Sequence, residues 1–113
     1  MSRPIVRQGD VLLIPVDQVP PKSRPVAHPI GRATLALGEA TGHAHVVVGD
    51  ERVTMREWLS DRYVVLASNA QLLHEEHAAI PLGPGAYRVV VQREYAPQVI
   101  ALGQGTGWQA VRD

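Results

Sequence analysis

An all-β fold, a small barrel or sandwich of about seven short, mostly antiparallel strands, is the architecture this sequence predicts, and three observations predict it. The apolar content is valine, leucine, isoleucine and alanine, with no phenylalanine, three tyrosines and two tryptophans. Branched aliphatic side chains favour pleated sheets over helices. Short apolar or alternating runs recur at roughly ten-residue spacing, each closed by glycine, proline, aspartate or asparagine. No segment carries a convincing helical period, although Val53 to Leu59 is compatible with one short helix.

Taken in order, Val11-Leu-Leu-Ile-Pro-Val16 follows the Gly9-Asp10 turn and has the length and content of a buried strand, with Pro15 implying an edge or a bulge near its end. Four prolines between Pro20 and Pro29 make that stretch a loop. Ala33 to Leu37 alternates, residues 38 to 42 punctuate, and Ala44-His-Val-Val-Val48 is the next strand. Gly49-Asp50-Glu51 turns the chain into Arg52 to Trp58, Asp61 turns it into Arg62 to Ala67, and Ser68-Asn69 turns it into Gln71 to His74. Ala78 to Leu82 is a short extended piece before the Gly83-Pro84-Gly85 turn. Ala86 to Tyr95 is the longest strand, with Tyr87, Val89 and Val91 on one face and Arg88, Val90, Gln92 and Glu94 on the other. A glycine-rich tail, 103–113, follows.

Composition sets the outer limits. A chain of 113 residues is expected to form one β domain, 1–113, around one core. Eleven basic and eleven acidic residues cancel, so nothing points to nucleic acid or an anionic membrane as a partner, and near-neutrality favours self-association into a homo-oligomer. With no cysteine, disulfides, thiolate metal sites and cysteine nucleophiles are excluded. No stretch approaches the ~18 apolar residues of a membrane span, and the start lacks a signal-peptide pattern, so a cytoplasmic location is expected.

The most chemically pointed feature is the placement of histidine. Four of the five histidines form two tight pairs, His43/His45 in Thr41-Gly-His-Ala-His45 and His74/His77 in His74-Glu-Glu-His77. On a strand, positions 43 and 45 project to one face. If Glu75-Glu76 is the tip of a hairpin, positions 74 and 77 lie opposite one another and also share a face. Brought together, the pairs offer three or four nitrogen ligands for zinc, nickel, iron or copper, with Glu75, Glu76 or Glu94 to complete the shell. An open coordination position would activate water or polarise a small substrate, with Glu76 or Glu94 moving the proton. Glu94 and Tyr95 also suit a role orienting an imidazole. His28, before a proline in the loop, is left out of the ligand pool. Neither a phosphate-binding loop nor a hydrolase serine elbow is present.

A His-x-His on a valine-rich strand, a later histidine and the Pro84-Gly85 turn resemble the cupins. That resemblance implies a β-barrel that binds iron, manganese, nickel or zinc, with His43 and His45 as ligands. The cupin carboxylate spacing is filled here by Val48 or Gly49, and His74 and His77 precede the Pro-Gly turn instead of following it. The combination of Thr41-Gly-His-x-His45, His74-x-x-His77 and Gly85-x-Tyr87 also resembles small bacterial and phage-associated proteins of unassigned function. The leading expectation is a metal-binding β protein acting on a small molecule. The alternative is a non-catalytic interaction module whose exposed strand edges pair with itself or a partner, its histidines structural or exposed to solvent.

Overall fold

Valine-rich runs separated by tight turns leave the chain one economical solution, antiparallel strands joined to near neighbours. The computed structural model describes residues 3–37 and 43–92. Among them are ten strands: β1 (Val6–Gln8), β2 (Val11–Val16), β3 (Arg24–Val26), β4 (Arg32–Leu37), β5 (Ala44–Val48), β6 (Thr54–Trp58), β7 (Asp61–Leu66), β8 (Ala70–His74), β9 (His77–Leu82) and β10 (Gly85–Val91). They form two sheets, one in the order β1-β2-β10-β7-β6-β3 and the other β4-β5-β8-β9. Each sheet keeps two edge strands, so the barrel is not closed and the fold is a sandwich.

Period-two burial assigns the inner faces. From the six-stranded sheet, Val11, Leu13, Met55, Val64, Leu66, Tyr87 and Val89 face inward; Ala33, Leu35, Val47, Ala70, Leu72 and Leu82 meet them from the four-stranded sheet. Leu13, Val47, Val64 and Leu72 are fully buried, each stabilising the fold by about 1.5–3 kcal/mol relative to an exposed side chain. Tyr87 lies inward with Val89, as alternation requires, and its hydroxyl donates to the Gly83 carbonyl at 2.7 Å, so the ring is buried without stranding its polar end.

Several readings of the sequence change in detail. The count exceeds seven because β1 and β3 are three residues each, too short for alternation to register. The proline-rich stretch 20–29 is not all loop, since it contains β3 on the edge of its sheet beside β6, where Pro25 is tolerated. Pro81 occupies the corresponding edge strand, β9, of the other sheet. Residues 54–58 are strand β6, not helix: Met55 pairs with Val64 and its side chain joins the core. Pro15 lies in β2, between β1 and β10, but β1 pairs only as far as Leu13, so the missing N–H interrupts no pairing on that side. Residues 93–113, with Glu94, Tyr95 and the glycine-rich tail, lie outside the described residues.

Candidate metal centre

Strand register, not loop geometry, joins the two histidine pairs. β5 runs antiparallel to β8 with Val46 opposite Leu73 and Val47 opposite Leu72, and continuing that register by one residue sets His45 opposite His74. β8 turns through Glu75-Glu76 into β9, and His74 pairs directly with His77. The ring centroids of His45 and His74 are 4.3 Å apart, those of His74 and His77 4.7 Å, and those of His45 and His77 5.9 Å. His43 stands edge-on to His74 at 5.7 Å. Ligand atoms of His43, His74 and Glu75 all lie within 4.8 Å of one another, a group that could hold a metal ion.

The β1–β2 hairpin of the other sheet folds over this cluster. Gln8, buried at 3% exposure, sends its side-chain amide across the sandwich, donating to the carbonyls of Leu72 at 3.1 Å and Ala78 at 2.9 Å. Those carbonyls flank a β-bulge, where the β8–β9 register shifts between Leu72 and His74. Carbonyls only accept, so the Gln8 amide nitrogen must face them and its oxygen must face away. That oxygen lies 2.9 Å from His45 Nδ1, which therefore carries a hydrogen and donates it. His45 Nε2 is left pointing at the Asp10 carboxylate, 3.3 Å from Oδ1. Between Gln8 and Asp10, Gly9 adopts φ +59°, and a Cβ there would stand 2.9 Å from His77 Nε2 and 3.2 Å from the His45 ring.

Electrostatics grade the cluster by depth. Burial lowers the His45 pKa below the usual 6.5, and the neighbouring His74 pushes the same way, while Asp10 opposes them. Glu75, exposed, is held below the ordinary carboxylate range first by its own backbone N–H and then by that of Ala44, which donates to Oε1 at 3.2 Å. The Glu76 N–H donates to His74 Nδ1 at 3.0 Å, so a neutral His74 carries its hydrogen on Nε2. Glu76 also places a carboxylate oxygen 3.4 Å from His43 Nδ1.

All four histidines of the expected ligand pool thus share one end of the four-stranded sheet, with Glu75 and Glu76 beside them. His28 is elsewhere in role: its Nδ1 contacts the Pro29 and Arg32 carbonyls and braces the loop into β4. Sequence reasoning missed Gln8, Gly9 and Asp10, because Gly9-Asp10 reads as an ordinary turn and a glutamine in a three-residue strand carries no signal. An open cleft of about 350 Å³ on the neighbouring surface is lined by Arg32, Ala44, Val46, Leu73, His74 and Glu75. A larger one, about 420 Å³, lies by Val48, Asn69 and Pro81 and is lined by no titratable side chain.

The sequence profile described as a domain of unknown function (DUF8820) matches residues 7–92, which spans both hairpins of the site and every described strand except the first residue of β1. No curated protein and no solved structure matches the chain.

Proposed function

The chain belongs to the DUF8820 family, whose description assigns no activity, and we propose from its own geometry that the histidine cluster holds a divalent transition-metal ion. The observation that carries this reading is the convergence of the two pairs, with three imidazole rings mutually within 5.9 Å and the fourth edge-on to His74. Packed this closely, His45 buried and the others nearer the surface, the four imidazoles oppose one another as each gains positive charge. A metal ion held by their nitrogens reverses the sign, His74 Nδ1 exchanging the Glu76 N–H for the ion where that nitrogen ligates. Zinc, nickel, iron(II) and copper all accept such nitrogen donors with a carboxylate. His43, His45, His74 and His77 are the ligand pool.

A small-molecule reaction is the natural extension of that reading. The open cleft past His74 and Glu75 gives a small oxygen-containing substrate access, and Glu76, beside His43, is the group to move a proton. Elemental analysis of protein purified without a histidine tag tests the metal reading. Near one equivalent of metal is expected, lost on His43→Ala and on His74→Ala. Metal-free protein that also takes up no added Zn2+, Ni2+, Fe2+ or Cu2+ leaves the interaction-module reading instead.

A further inference from the structure

We propose that Asp10 is an oxygen ligand to the metal ion, entering beside His45 Nε2, and that Gln8 is the positioning residue that presents that nitrogen. This rests on the metal-binding reading and adds to it a residue pair from the opposite sheet.

Three features of the geometry carry the assignment. Gln8 is chemically locked, since its two N–H groups are spent on the Leu72 and Ala78 carbonyls, so His45 must be the Nδ1–H tautomer. This is the arrangement in which ligating histidines are commonly held, one nitrogen hydrogen-bonded to an acceptor behind it and the other facing the ion. In front of His45, the neutral ring sets a lone pair against a carboxylate, two acceptors that attract only through a proton or a metal ion between them. The separation suits a metal ion better than a short charge-assisted hydrogen bond. An imidazolium–carboxylate hydrogen bond closes to about 2.7–2.9 Å. Nitrogen and oxygen ligands each about 2.0–2.2 Å from one tetrahedral ion stand about 3.3–3.6 Å apart, and His45 Nε2 to Asp10 Oδ1 is 3.3 Å.

The surroundings fit an ion at that point. His77 Nε2 lies over Gly9 of the same turn, close enough that no Cβ fits beneath it. His45 is buried at 5% while the Asp10 side chain is 41% exposed, so the nitrogen is fixed and the carboxylate keeps an outlet through which an ion enters. The backbone carbonyl of Asp10 is itself tied, accepting from the Gln92 N–H at 2.7 Å, which limits how far the turn swings.

Titration of the metal-free full chain with Co2+, followed by its visible absorption, separates the outcomes. Expected are saturation near one equivalent for the native chain, weakening of at least about tenfold with an altered absorption band for Asp10→Asn, and weakening of about 10–100-fold for Gln8→Leu. Asp10 is a half-exposed turn residue, so Asp10→Asn folds normally and reads the ligand directly. For Gln8, the imidazole nitrogen shifts of His45 in metal-free protein at pH 8 give a second readout: the proton on Nδ1 in the native chain, redistributed between the nitrogens in Gln8→Leu. A native chain that binds no Co2+ overturns the metal reading and this proposal with it. Binding by the native chain that Asp10→Asn leaves unchanged in affinity and spectrum overturns the Asp10 assignment alone. A native His45 protonated on Nε2 and bare on Nδ1 overturns the role given to Gln8.

Discussion

Two Gly-Asp turns sit at opposite ends of the β5–β8 pair, and they are chemically opposite. At Gly49-Asp50 the carboxylate is surrounded by donors: the Arg52 backbone N–H at 2.8 Å, the Arg52 guanidinium at 2.8 and 3.2 Å, and the Ser68 hydroxyl at 2.6 Å. The Ser68 hydroxyl first, and then Arg52, hold its pKa at about 2. At Gly9-Asp10 the carboxylate faces His45 Nε2 at 3.3 Å, and in the neutral ring the hydrogen lies on the other side, on Nδ1 toward Gln8. The first turn is complete as built. Under the metal-binding proposal the second is completed by an ion, so the same dipeptide would be a structural joint in one place and half of a binding site in the other.

The contrast is sharpened most strongly by metal. Zn2+ at a hundredfold excess over its Kd should stabilise the native chain by about 2.7 kcal/mol in denaturant unfolding. Asp50→Asn should keep that increment, and Asp10→Asn, binding about tenfold more weakly, should lose about half of it or more at the same Zn2+ concentration. An increment that vanishes in Asp50→Asn would erase the distinction between the turns.

Next in size are the two glycines. Gly9→Ala forces a side chain into φ +59° and against His77, and should cost about 1–3 kcal/mol while also weakening metal binding. Gly49→Ala meets Val53 at 2.8 Å and Ala70 at 3.0 Å, an overpacking cost also of about 1–3 kcal/mol, with metal affinity unchanged in the folded protein. Chemical denaturation paired with metal titration distinguishes them.

Acid should separate the turns in two windows. Above pH 6.5 His45 is neutral folded and unfolded; as pH falls below 6.5 the unfolded ring takes up a proton before the folded one, so metal-free stability declines down to the lowered folded value. Denaturant midpoints at pH 7.5 and 5.5 should show that decline in the native chain. The smallest effect belongs to Asp50, which is substantially exposed. Its stabilisation is complete above 3.8 and is lost as pH falls through about 2, a step that Asp50→Asn should flatten in an acid titration followed by circular dichroism.

Much of this molecule was legible in the sequence, for a physical reason: strands with one face buried are written in period two. Val11–Val16 and Ala44–Val48 coincide with β2 and β5, and Glu75-Glu76 forms the hairpin tip that the sequence allowed, pairing His74 with His77. What was illegible depends on contacts between sheets. Nothing in Val6-Arg7-Gln8 marks a three-residue strand, and nothing in Gln8 foretells that its amide reaches the Leu72 and Ala78 carbonyls, 64 and 70 positions along the chain. Asp10 and Asp50 both follow glycine, and only their surroundings in space tell them apart.

The Gln8 bridge has a kinetic corollary. Its anchor belongs to one layer and the imidazoles to the other, so the donor set is assembled only after the layers have docked, and an ion captured there fastens the seam between them. Bound metal should therefore slow the layers' parting more than it hastens their meeting.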